Sequence, residues 1–340
     1  MNKKRSPLKH LVVISAFLLP LNLMAQDDLG ELFKSSPQDA TKLVDAYMNP
    51  LFKGMGIGFN SGWNNTAKTK SFLRFDLRVT VTAAFVPTKD QTYNTNSLGL
   101  TSIRPASGSN GIGPAIIGNN AVGSKMEVYS GNTVVQTFNL PQGTGLKFAP
   151  SPQIQLTVGL PKNIDVSLRY IPGVKLGSDF GKIDQFGAGA KIELLPLIMG
   201  KKDKLVPFDL AVALGFTNTT YTKELDVNNG KYDNQDLEIK FKGFQAEAII
   251  SKKIAFFTPF ASVGYHSSNS SLNAYGTYEF QTAAGSATFT DPVSLKNDDI
   301  SGLKAALGFQ LNLGFFRFYS SYTQAEYGFL NAGIGFGIGK

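Results

Sequence analysis

The chain has 340 residues, with 33 basic side chains against 25 acidic ones, two histidines and no cysteine. The lack of cysteine excludes disulfides, thiolate metal sites, a cysteine nucleophile and a lipidated N-terminal cysteine. His10 sits near the start, which leaves His266 alone and too few imidazoles for a multi-histidine metal centre. Acidic and basic residues are interspersed, so the clustered positive footprint of a nucleic-acid binder is missing.

Lys3, Lys4, Arg5 and Lys9 precede an apolar run from Leu11 to Met24, and Ala25 supplies a small residue after it. Residues 1–25 read as a secretory signal peptide. Ser15, Pro20 and Asn22 interrupt the run, which falls short of the ~20 residues a spanning helix needs. Half of the net excess of eight positive charges lies in this leader, which has four basic and no acidic residues, so the mature chain is nearer neutral. No later stretch approaches a transmembrane helix, so any membrane span must be β.

Residues 26–70 form a separate N-terminal segment. Ser36-Pro37-Gln38-Asp39 has the form of a helix start, with a capping serine and proline in the first turn. Ala40, Leu43, Val44, Tyr47 and Leu51 follow at helical spacing, and Pro50 is expected to end the helix. A Gly-rich run from Lys53 to Lys70 then carries Asn60, Asn64, Asn65 and Trp63, the only tryptophan. Met55, Ile57, Phe59, Ser61 and Trp63 alternate with Gly56, Gly58, Asn60, Gly62 and Asn64, which also fits an edge strand. Two readings stand: a hatch inside a barrel mouth, with Asn60, Trp63, Asn64 and Asn65 as its candidate residues, or a periplasmic helix followed by an edge strand.

From residue 71 to 340 the period is two. Leu73, Phe75, Leu77, Val79, Val81, Ala83 and Phe85 share one face, opposite Arg74, Asp76, Arg78, Thr80, Thr82 and Ala84. At ~3.3 Å per residue and a tilt near 40°, Phe75 to Phe85 covers about 25 Å of membrane normal, the height of an outer-membrane apolar band. Phe208, Leu210, Val212, Leu214 and Phe216 repeat the pattern, with aromatics again at the ends. Seven further candidates run over 154–160, 164–170, 185–193, 244–250, 257–266, 303–311 and 315–323. The last strand sets Leu330, Ala332, Ile334, Phe336 and Ile338 against glycines and Asn331.

These ten strands, with both ends periplasmic, predict an all-β fold: an antiparallel transmembrane barrel of about 10 to 12 strands, with up to 14 possible, and a short N-terminal helix or hatch. The extra strands would come from residues 55–64 and from a hairpin at Glu127–Phe138 around Gly131-Asn132. Short turns at 161–163, 251–253 and 312–314 alternate with longer loops at 173–182, 218–236 and 267–301, placing the turns in the periplasm and the loops outside. Residues 87–152 are too long for a simple connection and are expected to form an extracellular loop or cap, either binding or constricting, or merely shielding.

Candidate lumen-lining charges are Arg74, Arg78, Arg169, Lys191, Lys304 and Arg317 against Asp76, Asp165, Glu193, Asp209 and Glu247. The mixture suits either a polar channel or a closed interior of paired charges. His266 beside Ser267 invites comparison with outer-membrane phospholipases, but adjacent strand residues face opposite ways and no hydrolase motif is visible, so no catalytic residues, cofactor or metal are expected. Asp226, Asn228, Asn229 and Asp233 miss the EF-hand spacing and read as a solvated turn.

The leader, the aromatic-bracketed strands and the terminal strand resemble bacterial outer-membrane barrels, and the last strand resembles their assembly signal, except that it ends on Lys340 with Phe336 as its nearest aromatic. The helix and Gly/Asn segment are distantly similar to the N-terminal hatch of long-chain fatty-acid outer-membrane transporters. That resemblance implies passive passage of a small molecule, hydrophobic ones included, with outer-membrane lipid, lipopolysaccharide and the barrel-assembly machinery as partners. The segment is too short for a siderophore receptor's plug. The other readings are a closed structural or adhesive barrel acting through its loops, and a soluble secreted sandwich, which shares the period-2 pattern.

Overall fold

The computed structural model describes residue 32 and residues 36–175, 181–225, 231–232, 234–282 and 285–338. The leader and the turn carrying Asp226, Asn228, Asn229 and Asp233 lie outside the described residues. Ten strands form a closed barrel: β1 (Phe75–Phe85), β2 (Phe148–Leu160), β3 (Ile164–Lys175), β4 (Lys182–Glu193), β5 (Asp209–Glu224), β6 (Asp236–Ser251), β7 (Phe257–Tyr275), β8 (Val293–Leu313), β9 (Phe316–Gln324) and β10 (Phe329–Ile338). Each pairs antiparallel with its neighbours in sequence, and β10 closes on β1 with Leu77 opposite Phe336 and Val79 opposite Ile334.

Alternation explains the wall. On β1 the outward Leu77 is exposed while the inward Asp76, Arg78, Thr80 and Thr82 are buried. Leu214 at 55%, Ile334 at 55% and Leu307 at 71% are as open as side chains on a water-facing surface, yet they are apolar and contiguous around the barrel. A surface of that kind needs an apolar solvent.

The strands on the β5–β8 side run past this band, with β7 and β8 reaching 19 and 21 residues against nine in β9. Much of the loops expected over 218–236 and 267–301 is therefore strand, with a small hairpin at Thr277–Thr282 and Gly285–Thr290. The sequence pattern inverts there, which hid the continuation. Low on β6, outward Phe244 and Ile250 oppose inward Gln245 and Glu247; higher up, outward Glu238, Lys240 and Lys242 oppose buried Leu237, Ile239 and Phe241. The swap between Lys242 and Phe244 marks where the outer face of the barrel changes from charged to apolar.

One end of the barrel, the turn end, has short connections at 161–163 and 314–315; Lys162, Asn163 and Gly314 take positive φ there. At the opposite, cap end, residues 87–147 fold over the mouth as two small sheets, pairing Thr92–Asn94 with Ile112–Pro114 and Ile103–Pro105 with the hairpin Lys125–Ser130 and Thr133–Asn139. The hairpin around Gly131-Asn132 thus belongs to the cap, and the last residues expected in the loop, from Phe148, belong to β2.

Helix α1 (Pro37–Asn60) enters through the cap and descends inside the barrel. Ser36 accepts a hydrogen bond from the Asp39 N–H at 3.3 Å, as its capping position requires. Pro50 does not end the helix: it lacks one N–H, but packing on all sides carries the helix ten residues further, through the stretch that alternates like a strand. Gly54, Gly56 and Gly58 let it touch the wall; a Cβ on Gly54 would stand 2.6 Å from the Ala149 Cβ, and one on Gly58 2.1 Å from the Ser151 Oγ. In the upper half Leu43, Met48 and Phe52 pack with Ile116, Phe138, Ile239 and Leu272 into one apolar core.

Candidate functional site: the plugged lumen

Below α1 the polypeptide does not leave the barrel. Residues 61–70 run down the lumen to the turn end, and the short stretch 71–74 joins them to β1. The segment is extended and polar, so its backbone groups need partners that the wall must supply.

Arg169 of β3 supplies the first set. Its guanidinium donates to the carbonyls of Phe59 at 2.8 Å and Ser61 at 2.6 Å, and its Nε donates to Gln155 Oε1 at 3.0 Å. Those carbonyls belong to the C-terminal end of α1, where the helix dipole is negative and the last carbonyls have no intrahelical donor. No carboxylate contacts Arg169 among the described ion pairs, so the helix end is its counter-charge. The same guanidinium stacks on the Trp63 indole, 3.8 Å from the ring centroid.

The other face of the indole rests on glycine. A Cβ on Gly189 or Gly215 would come within 2.8 Å of indole atoms, and one on Gly187 within 3.2 Å. β4 and β5 thus form a flat floor for a ring only 2% exposed. Arg78 donates to the Trp63 carbonyl at 2.5 Å, and Gln155 Nε2 donates to it at 3.1 Å. Ser61 sits between Thr82 Oγ1 at 2.8 Å and Asn331 Oδ1 at 2.9 Å.

Lower down, the plug meets charge. Asn64 donates to Glu247 at 3.1 Å, and Glu247 pairs with Lys304 at 3.0 Å. Asn65, with its amide oriented by its neighbours, accepts from Arg78 at 2.7 Å. Lys68 bridges Glu193 at 2.6 Å and Asp209 at 3.3 Å; Lys191 pairs with Asp165 at 3.1 Å and donates to the carbonyls of Thr66 and Lys68. The Lys70 N–H donates to Asp165 at 2.8 Å, and Arg317 pairs with Asp76 at 2.8 Å. Burial pushes the Lys70 ammonium down to about 8; Asp165 and Asp76 favour its charged form, while Lys191 and Arg78 oppose it.

Most of the charged residues singled out in the sequence therefore lie on the inner face and touch the plug or each other. Arg74 does not: it precedes β1, in a turn closed by its own N–H to the Ser71 carbonyl, and is exposed. Asn60 is buried against Gly243, with both side-chain polar atoms unpartnered. Lys68, Lys70 and the uncharged Ser61, Thr82, Gln155 and Asn331 were not among the candidate site residues, nor was Gln153, which donates to the Gly58 carbonyl and to Thr82 Oγ1. The wall members among them were legible as the polar side of the alternation; the plug lysines were hidden by the absence of any period. His266 and Ser268 both point inward, but the His266 Nε2 and Ser268 Oγ each lack a hydrogen-bond partner. Ser267 faces outward.

At the cap end α1 is also tied by polar contacts. Asp39 accepts from the backbone N–H groups of Thr101 at 2.9 Å and Ser102 at 2.7 Å. Burial alone would raise its pKa, but these N–H groups and the two hydroxyls outweigh burial and hold the carboxyl below its ordinary value. No helix among the described residues is long and apolar enough to cross a membrane, and no cluster of described residues could hold a metal.

A closed antiparallel barrel with a contiguous apolar outside, a polar inside and its own N-terminal segment in the lumen defines an outer-membrane type of β-barrel. The sequence matches, over residues 2–338, a group described as "Family of unknown function (DUF6588)", and the chain belongs to that family. Comparison with curated proteins finds no match.

Similar solved structures include the translocator domain of the autotransporter NalP from Neisseria meningitidis, at 9% identity over 78% of this chain and 88% of that one, with a TM-score of 0.32. The beta domain of the Bordetella autotransporter BrkA is 12% identical over 78% and 99% of the two chains, with a TM-score of 0.28. The toluene transporter TodX of Pseudomonas putida is 9% identical over 85% and 97%, with a TM-score of 0.27. Likenesses this distant go no further than a barrel.

Proposed function

We propose that this protein resides in a bacterial outer membrane, turn end in the periplasm and cap outward, and lets a small hydrophobic molecule pass when its N-terminal plug shifts. The observation that carries this reading is the nature of the plug: residues 61–70 fill the lower lumen yet are held by hydrogen bonds and ion pairs, which water can replace. Apart from Trp63 and Ala67, which are buried, displacing them exposes polar surface, whereas withdrawing α1 would open the whole apolar core at about 25 cal/mol per Å². The lower segment is therefore the part able to move. The narrow crevice between α1 and the wall, lined by Leu51, Met55, Phe59, Ile183, Tyr221 and Phe241, has an apolar lining but room for only about 10 Å³, so it must widen before a hydrophobic molecule can enter it. Lipid and lipopolysaccharide would surround the band, β10 would engage the assembly machinery, and no enzymatic step is assigned.

A cysteine lock tests this. The Ser61 and Thr82 hydroxyls are 2.8 Å apart, and the chain has no cysteine of its own. Ser61→Cys with Thr82→Cys, reconstituted in liposomes, is expected to block uptake of a small aromatic hydrocarbon when oxidised and to restore it on reduction. The sealed mouth and its cap favour a second reading, a closed structural or adhesive barrel. Absence of uptake and of bilayer conductance in both redox states, and in the wild type, would select it.

A further inference from the structure

The connection between β4 and β5, residues 194–208, lies at the turn end but is far longer than those at 161–163, 252–256 and 314–315. It is also the wrong composition for a loop in water. A short helix, α2 (Leu195–Met199), buries Leu195 but leaves Leu197 at 54% and Ile198 at 72% exposure, and Leu205 is 81% exposed. Gly200, at φ 55°, reverses the chain after the helix, and Lys201, Lys202, Asp203 and Lys204 follow in a tight turn. Past this turn the exposed Phe208 leads directly into the outward row of β5, Leu210, Val212 and Leu214. The apolar surface of the loop is thus continuous with the lipid-facing band, and the sequence of residues 201–204 adds three lysines against one aspartate.

We propose that residues 195–205 form an interfacial anchor, which seats Leu197, Ile198 and Leu205 in the membrane leaflet at the turn end and sets the neighbouring lysines against anionic phospholipid headgroups. Apolar side chains beside lysines are the combination that binds such an interface, the first by burial below the headgroups and the second by attraction to their charge. Lipid is favoured over a protein partner because the patch adjoins the band and sits on the rim where the leaflet must begin. The anchor would fix the height of β4 and β5 in the bilayer, the two strands that carry the glycine floor under Trp63. This inference rests on the membrane reading above, and the experiment separates the two.

The chain has no native cysteine, so one introduced residue takes a single label. Full-length protein with Ile198→Cys, Val212→Cys or Val122→Cys is labelled with an environment-sensitive fluorophore and reconstituted in vesicles of phosphatidylcholine, with or without phosphatidylglycerol. Heat-modifiable gel mobility verifies folding of each variant. Val212 lies on the band and tests membrane insertion; Val122, 65% exposed in the cap, is the aqueous reference. At Ile198 the expected result is quenching by shallow spin-labelled lipid within about twofold of that at Val212, and weak quenching by aqueous iodide. Phosphatidylglycerol should strengthen the lipid quenching, and Lys201→Gln with Lys202→Gln and Lys204→Gln should abolish that increment. Iodide quenching at Ile198 equal to that at Val122, while Val212 remains lipid-quenched, would overturn the anchor and leave the patch for a periplasmic protein. Lipid quenching indifferent to phosphatidylglycerol would overturn it as well. Failure at Val212 would instead sink the membrane reading itself.

Discussion

The Arg169 guanidinium stands 3.8 Å from the centroid of the Trp63 indole while donating to the carbonyls that end α1, so one side chain of the wall fastens both halves of the N-terminal segment. Arg169→Met keeps a stem of similar bulk but removes the charge, the stacking and the two carbonyl contacts. The loss of charge-assisted hydrogen bonds and of a desolvated cation–π contact is expected to cost about 2 to 4 kcal/mol of plug seating. Trp63 is the only tryptophan, so its emission reports directly. It should shift to the red and become more accessible to acrylamide, and an unchanged spectrum would show that the stack does not hold the plug.

The glycine floor predicts a similar displacement from the opposite side. In Gly215→Val a Cβ would come within 2.7 Å of the indole in its native position, and two methyls would extend beyond it. Overpacking of this kind costs about 1 to 3 kcal/mol when the neighbour can shift. Because the neighbour here is the plug, relief comes by expelling Trp63, and bilayer conductance should rise in step with the red shift. If the barrel instead loses heat-modifiable mobility without any conducting form, the wall rather than the plug has yielded.

Sequence alone revealed the wall, since a barrel in lipid keeps every strand two-faced, and the ten strands were all visible in the band. It did not reveal how far β5 to β8 rise, because above Lys242 the polar and apolar faces exchange sides. It was most ambiguous for α1. A helix on a protein surface shows a 3.6-residue period because one side meets water. Residues 54–59 meet wall on every side, with glycine wherever the wall is nearest, and the result imitates a strand. The lumen charges were legible as the minority face of each strand, but which plug residue each would hold depends on the path of residues 61–70, which follows no period.

Lys70 makes the seating of the plug depend on pH. Its pKa falls to about 8 in the folded protein from an ordinary 10.5, mainly because burial disfavours the ammonium. Below pH 8 it is protonated in both states, and the penalty of burying its charge is fully present. Between pH 8 and 10.5 the unfolded or released segment binds more protons than the seated one, so the contribution of Lys70 to stability rises with pH and levels off above 10.5. At 1.36 kcal/mol per unit the whole effect is bounded at about 3 kcal/mol. Thermal denaturation of the reconstituted barrel across this window, compared with Lys70→Met, checks it: the difference between the two proteins should narrow or reverse as pH climbs, and parallel curves would refute the assignment.

The contact between Gly58 and Ser151 offers a test of whether α1 is seated where the close approach requires. A Cβ on Gly58 would fall 2.1 Å from the Ser151 Oγ and 2.6 Å from its Cβ, so Gly58→Ala forces helix and β2 apart unless the serine gives way. Helix propensity works in the opposite direction, favouring alanine over glycine by about 1 kcal/mol. The two effects separate in a double-mutant cycle. Gly58→Ala alone is expected to lower the unfolding midpoint, Ser151→Gly alone to lower it slightly through loss of side-chain packing and strand propensity, and the pair to recover most of the loss caused by alanine. A positive coupling of about 1 kcal/mol or more would mark direct contact between the two sites. Additive effects would mean that the two positions do not touch in the membrane, and that the helix rides higher or lower in the lumen than its glycines imply.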